Sequence, residues 1–229
     1  MTDFILIHST GQSAAGWDRL VYELERRGGN GHAIDFPNDQ PQLRADDYAR
    51  LAAQRFGALR RPVVVAHSGS GPLLPAVAAA LQASRQVWLA AWVPDPAASF
   101  HADARAALGE AFNPDWIGQD PIADRDAAVH FLYHDCDDET LAWALTTRRA
   151  FYPSAVYDEQ LTLYEDAPSS YIVAAGDRTI RPEWQERMAR ERLGIEPVRI
   201  DGGHCPNVSR PAELAELLLA LSDSRIQYP

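Results

Sequence analysis

Apolar residues along the chain fall into two alternating patterns. Runs at residues 4–7, 32–34, 63–66, 86–91, 171–174 and 197–200 are short and mostly apolar, as in Phe4-Ile-Leu-Ile and Val63-Val-Val-Ala. Runs of that length without regular polar alternation read as strands buried on both faces of a parallel sheet. Between them, at about residues 16–27, 45–56, 72–83, 182–192 and 212–221, apolar positions recur with a helical period. The last of these has Pro211 at its start and carries a broad apolar face. Pro75, within the third, should kink that helix or delay its start. Strand–helix alternation of this kind predicts an α/β fold built on a doubly wound, mostly parallel sheet of about six strands.

One region breaks the rhythm. From residue 94 to residue 166 no strand-like run occurs, only helical pieces rich in alanine, acids and aromatics, including Phe100, Phe112, Trp116, Phe131, Tyr133, Trp143, Phe151 and Tyr152. An excursion this long is not a plain connection between two strands. The expected organisation is therefore a core of residues 1–93 and 167–229 with a helical cap, residues 94–166, inserted in it. The aromatics of that segment either face a ligand or fill a small core of the cap's own.

Charge narrows the function classes. The formal net charge is −11, from 32 acidic and 21 basic side chains, and every basic one is arginine. Such a surface repels phosphate backbones and anionic membranes, so neither nucleic acid nor a membrane is an expected partner. Without lysine, Schiff-base and pyridoxal-type catalysis is excluded. Two cysteines, Cys136 and Cys205, make no disulfide framework, the first residues lack a basic leader, and no apolar run approaches ~20 residues. A cytoplasmic protein acting on a small molecule is the expectation.

The chemistry concentrates after the third strand, in Ala66-His-Ser-Gly-Ser-Gly-Pro72. A dinucleotide loop fails, because Leu74 stands where the third glycine is needed, and a phosphate-binding P-loop fails for want of lysine. A nucleophile on a strand–turn–helix corner fits better. That corner requires small residues two before and two after the nucleophile, and centring on Ser68 places Ala66 and Ser70 there. Centring on Ser70 would put Pro72 at one of those places, so Ser70 reads as a small spacer. The partners follow in the order acid, then base. Asp177 ends the fifth strand region in Gly176-Asp-Arg-Thr-Ile-Arg-Pro182, and His204 ends the sixth in Asp201-Gly-Gly-His204. All three stand at carboxyl ends of parallel strands, where sites gather. Asp95, after the fourth strand, is the rival acid. His67 is expected to be buried beside the corner and His8 to brace the first loop. The cluster His134-Asp-Cys-Asp137 is not read as a metal site, since adjacent side chains diverge. No cofactor or metal is expected.

These blocks, together with Phe4-Ile-Leu-Ile-His-Ser-Thr-Gly11 and Gly16-Trp17, resemble the α/β-hydrolase superfamily. The resemblance is to its branch of small esterases and hydroxynitrile lyases typified by plant methyl-ester esterases. It implies a Ser68–His204–Asp177 triad working through an acyl-enzyme, with an oxyanion hole made by the amides of Gly69 and Thr10. It also implies homodimers. Two departures matter: Ser9 stands where the lyases carry threonine, and Cys205 where they carry a lysine for the cyanide charge. Both are expected near substrate. The expectation is a carboxylesterase for a small apolar or aromatic ester or lactone. The alternatives are a lyase or cyclase using the same site, or a hydrolase-fold ligand-binding protein.

Overall fold

The computed structural model describes residues 1–223. They contain six strands, β1 (Thr2–Ile7), β2 (Gly29–Ile34), β3 (Val63–His67), β4 (Arg85–Leu89), β5 (Ser169–Ala174) and β6 (Val198–Ile200). These form a single six-stranded sheet in the order β2-β1-β3-β4-β5-β6, parallel at every pairing. Helices α1 (Asp18–Arg26), α2 (Ala45–Phe56) and α3 (Leu74–Ala80) follow the first three strands. Between β4 and β5 lie α4 (Phe100–Ala106), α5 (Leu108–Ala111), α6 (Arg125–Ala127), α7 (Asp138–Thr146) and α8 (Ser154–Tyr157). After β5 comes α9 (Pro182–Leu193), and after β6 come α10 (Pro206–Ser209) and α11 (Pro211–Ser222).

The near-continuous apolar strands have a simple cause: both faces of the sheet are covered. Successive side chains point to opposite sides, so Phe4, Leu6, Val63, Val65, Val87 and Leu89 pack with Leu20 and Leu24 of α1 and Leu214 and Leu218 of α11. Ile5, Ile7, Val64, Ala66 and Trp88 pack on the other side with Tyr48 of α2, Val77 of α3 and Met188 of α9. Burying each large side chain stabilises the fold by about 1.5–3 kcal/mol before entropy is counted.

Two boundaries differ from expectation for local reasons. The run at 86–91 pairs regularly only to Leu89, because Ala90 adopts a φ of 43°, outside the strand range. The helix expected over 72–83 is a 3-10 helix over Ser68–Leu73 that gives way to α3 only at Leu74. Pro72 and Pro75 both lack an N–H, so α-type bonding starts where Pro75 falls in the first turn and its missing donor costs nothing.

From β1 the chain passes to the edge strand β2, then crosses back to β3 on the other side of β1. Parallel α/β sheets open a crevice at such a reversal, beyond the carboxyl ends of the strands. The segment between β4 and β5 lies across that edge. Its backbone bonds the loop after β1 (Phe151 N to Thr10 O, 2.9 Å; Ser13 N to Thr147 O, 2.9 Å) and the loop after β5 (Asn113 N to Thr179 O, 2.9 Å; Arg181 N to Ala111 O, 2.8 Å).

Candidate active site at the carboxyl ends of the strands

Where β3 gives way to the 3-10 helix, Ser68 takes a φ of 58°, the left-handed region that non-glycine residues seldom occupy. The surroundings hold it there: Trp92 N donates to Ser68 O at 3.0 Å. The tightest approach at this corner lies at Gly71, where a Cβ would sit 2.0 Å from the carbonyl oxygen of Trp92. Ser70 is not the mere spacer the sequence suggests. Fully buried, it donates its hydroxyl to His8 O at 2.6 Å and ties this corner to the loop after β1.

Ser68 Oγ lies 2.8 Å from Nε2 of His204, and His204 Nδ1 lies 2.7 Å from Oδ2 of Asp177. The ring therefore has an acceptor at Nε2 for the serine proton and a carboxylate at Nδ1 to fix that tautomer. Such a line can draw the hydroxyl proton toward Nε2 as the oxygen attacks. The rival acid is elsewhere: Asp95 is half-buried and accepts Ala97 N at 2.8 Å.

The carboxylate of Asp177 is held from every side. Oδ1 accepts Thr179 N (2.7 Å), Thr179 Oγ1 (2.9 Å) and Ile180 N (3.2 Å), while Oδ2 also accepts Gln185 Nε2 (2.8 Å). The same Gln185 Nε2 donates to Ile180 O at 2.9 Å, and its Oε1 accepts Ala174 N at 3.1 Å. Thr179 Oγ1 also lies 2.9 Å from His204 Nδ1. Sequence reasoning assigned no role to Thr179 or Gln185. The available signal was weak: polar residues just past a strand-end acid, one of them within the first helical turn after Pro182.

Two further histidines buttress the site in neutral form. His67 donates from Nε2 to His204 O at 2.7 Å, and burial foremost pushes its pKa down to about 3. His8 donates from Nδ1 to Ser9 O at 2.9 Å and accepts Phe36 N at Nε2 at 3.3 Å, with its pKa pushed down to about 4, again mainly by burial.

Ser68 and His204 open onto a cavity of about 310 Å³, lined also by Ser9, Thr10, Gly69, Trp92, Phe100, Phe112, Trp116, Phe151 and Tyr157. Neither arginine nor a carboxylate lines it among the described residues. Gly69 stands against Thr10, whose methyl carbon would lie 2.8 Å from a Cβ there. Its amide, in the first turn of the 3-10 helix, has no acceptor within that helix. Tyr157 Oη–H donates to Gly69 O at 2.7 Å. Of the two expected substrate contacts, Ser9 lines the cavity, whereas Cys205 is not among the lining residues. Cys205 packs instead with Tyr133, Ala144 and Val208, and burial raises its thiol pKa well above the ordinary value. The reason is local, since the backbone that turns His204 toward Ser68 points the next side chain the other way.

Chains of the same architecture are known. Polyneuridine aldehyde esterase superposes with a TM-score of 0.83 at 20% identity, over 97% of this chain and 100% of that one. A pyrethroid hydrolase from Sphingobium faniae JZ-2 gives 0.76 at 21% identity over 99% of both chains. A variant of tomato methylketone synthase I gives 0.75 at 21% identity, over 96% of this chain and 97% of that one. At these identities the likeness establishes the fold. A probable hydrolase of Phoma sp., R7, is 32% identical over 104 residues, which are 42% of this chain and 43% of the relative's length. The sequence pattern of the alpha/beta hydrolase family matches residues 4–217, and the chain is a member of that family.

Proposed function

We propose that the protein is a serine carboxylesterase acting on a small apolar or aromatic ester or lactone. The observation that carries this reading is the unbroken line Ser68 Oγ–His204–Asp177, with spacings of 2.8 and 2.7 Å, opening into an aromatic-walled cavity of about 310 Å³. Ser68 Oγ attacks the acyl carbonyl while His204 takes its proton, then returns it to the leaving alcohol. Asp177 keeps Nδ1–H oriented and balances the imidazolium charge. The amides of Gly69 and Thr10 receive the developing oxyanion, and loss of one such donor costs about 100- to 1000-fold in rate. Water then releases the acid by the same proton route. Residues 94–166 serve as the cap, whose Phe112, Trp116 and Phe151 supply apolar walls. The cavity volume suits a small ligand, and the absence of charged side chains among its lining residues favours a neutral one. Similarity to an esterase and a pyrethroid hydrolase supports the same class.

A fluorophosphonate probe is expected to label Ser68, and Ser68→Ala to abolish both labelling and turnover of p-nitrophenyl esters. Undiminished turnover in that variant overturns the reading. A lyase or cyclase is the second reading, favoured by the Ser9 hydroxyl in the same cavity and by the similarity to a methylketone synthase. It predicts weak ester turnover with activity that depends on Ser9, and unimpaired activity of Ser9→Ala removes it.

A further inference from the structure

His134 and Asp135 follow the π-type turn Ala128–Leu132 of the inserted segment and reach both loops that carry the acid and the base. His134 donates from Nε2 to the carbonyl of Gly176 at 3.0 Å, the residue immediately before Asp177. Asp135 Oδ2 accepts the amide of Gly203 at 2.8 Å, the residue immediately before His204. One dipeptide can reach both loops because the two side-chain tips converge beside Gly203, where the loops lie against each other. The loops touch each other through Gly176 N to Gly202 O at 2.7 Å, just beyond the bond Ala175 N to Ile200 O at 3.0 Å.

The glycines of this region make room for the pair. A Cβ on Gly203 would lie 2.8 Å from both Asp135 Oδ1 and His134 Nε2. One on Gly202, at a φ of 117°, would lie 2.7 Å from Asp135 Oδ2 and 2.7 Å from Arg210 Nε. One on Gly176 would lie 2.9 Å from Gly202 O. The Gly202-Gly203 step before His204 is thus shaped to receive two side chains of the inserted segment, not only to make a turn.

We propose that His134 and Asp135 are positioning residues that clamp the loop of Asp177 to the loop of His204 and so hold the imidazole in line with Ser68. This rests on the reading of Ser68, His204 and Asp177 as the catalytic line. Neither His134 nor Asp135 lines the cavity, so the clamp acts on the reactivity of the line and not on substrate contact. Displacing reacting groups by about 1 Å can cost on the order of 100-fold in rate.

The test compares fluorophosphonate labelling rates and ester kinetics of the full chain and five variants. His134→Ala and Asp135→Ala are expected to lower kcat and the labelling rate about 10- to 100-fold with KM within about twofold. His134→Gln and Asp135→Asn, which keep a donor and an acceptor, are expected to recover most of the loss. Gly203→Ala displaces the clamp from the other side and is expected to match the alanine variants, so it decides the question if either of those fails to fold. In wild type the Nδ1–H of His204 should give a strongly deshielded proton resonance that broadens or moves in the alanine variants. Wild-type labelling rates in all three disruptive variants overturn the clamp, as does a rise in KM at constant kcat. Equal losses in the conservative and alanine variants overturn it too. Absence of labelling in the wild type itself would instead refute the esterase reading.

Discussion

The corner at Ser68 and the segment between β4 and β5 meet in one cavity but are built in opposite ways. At the corner, residues 63–71 are almost entirely buried and space is set by backbone: Gly71 against the Trp92 carbonyl, Ser70 Oγ on His8 O, Ser68 at a positive φ. In the inserted segment, short helices present side chains to the cavity, and its own buried cluster of Ala128, Leu132, Tyr133 and Ala144 with Cys205 and Val208 is small. Backbone spacing fixes reacting atoms to within tenths of an ångström, whereas a wall of large side chains fixes only volume and polarity. The first kind of construction suits chemistry and the second suits choice of substrate. Substitutions at the corner should therefore act on rate and stability together, and those in the aromatic wall on selectivity alone.

The largest expected effect tests the corner's dependence on its distant partner. Asp177→Asn retains size and can keep the three hydrogen bonds accepted at Oδ1. The amide that replaces Oδ2 cannot accept from Gln185 Nε2 or from His204 Nδ1–H, so the ring is no longer held in the tautomer that presents Nε2 to Ser68. On the proposed mechanism kcat should fall about 10⁴-fold, measured by stopped-time assays with p-nitrophenyl esters, while the donor-against-donor contact with buried Gln185 lowers the melting temperature as well. A loss of less than tenfold would mean that Asp177 is scaffolding only. Next comes Gly71→Ala. Its Cβ would meet the carbonyl oxygen of Trp92 at 2.0 Å, backbone against backbone, with no flexible atom to yield. Destabilisation beyond about 3 kcal/mol is expected in urea unfolding, and an unchanged midpoint would show that the corner is looser than its spacing implies.

The sheet side of this comparison was legible in the sequence. Buried parallel strands write themselves as apolar runs, and the strand ends then order Ser68, Asp177 and His204 along one edge whatever the loops do. The delayed start of the α-helix after Ser68 could be anticipated from Pro75. Gly71 could not, because its constraint comes from Trp92, a residue on another strand's extension that no local pattern connects to it. Gln185 and Thr179 were hidden for the same reason, their roles being set by which loop they fold back upon. In the inserted segment the sequence fails further. Helical period told of helices but not which of the aromatics would line the cavity, as Phe112 does, and which would fill the segment's own core, as Tyr133 does.

A third effect separates the corner from its surroundings by pH. His67 is neutral in the folded protein, its pKa pushed from 6.5 to about 3, and its Nδ1 has no hydrogen-bond partner. Between those values the unfolded chain binds a proton that the native state does not. Stability from this group is therefore fully present above about pH 6.5 and lost as the pH falls toward 3, with a slope of up to about 1.4 kcal/mol per pH unit. His8, lowered to about 4, adds to the slope over the range above that value. In His67→Gln, whose amide can still donate to His204 O, urea midpoints between pH 6.5 and 4 should decline less steeply than in the wild type. Parallel declines would remove His67 from the account.

The smallest expected effect probes the other side of the comparison. Trp116 is half-buried, lines the cavity, and meets the ring of Phe131 edge-on at 5.3 Å. Its removal in Trp116→Ala takes away apolar wall without touching Ser68, His204, Asp177 or the loops that hold them. The fluorophosphonate labelling rate and kcat toward a p-nitrophenyl acetate should then stay within about twofold, since the hydrogen-bonded line is intact. Only kcat/KM for a bulky aromatic ester should drop, by about tenfold, the scale of a lost apolar contact worth 1–3 kcal/mol. The ratio of the two esters is the decisive measurement, because a general loss of fold or of active fraction cancels in it. If the acetate and the aromatic ester fell together, the aromatic wall would be shaping the reacting line as well as the cavity, and the division of labour drawn between the two regions would not hold.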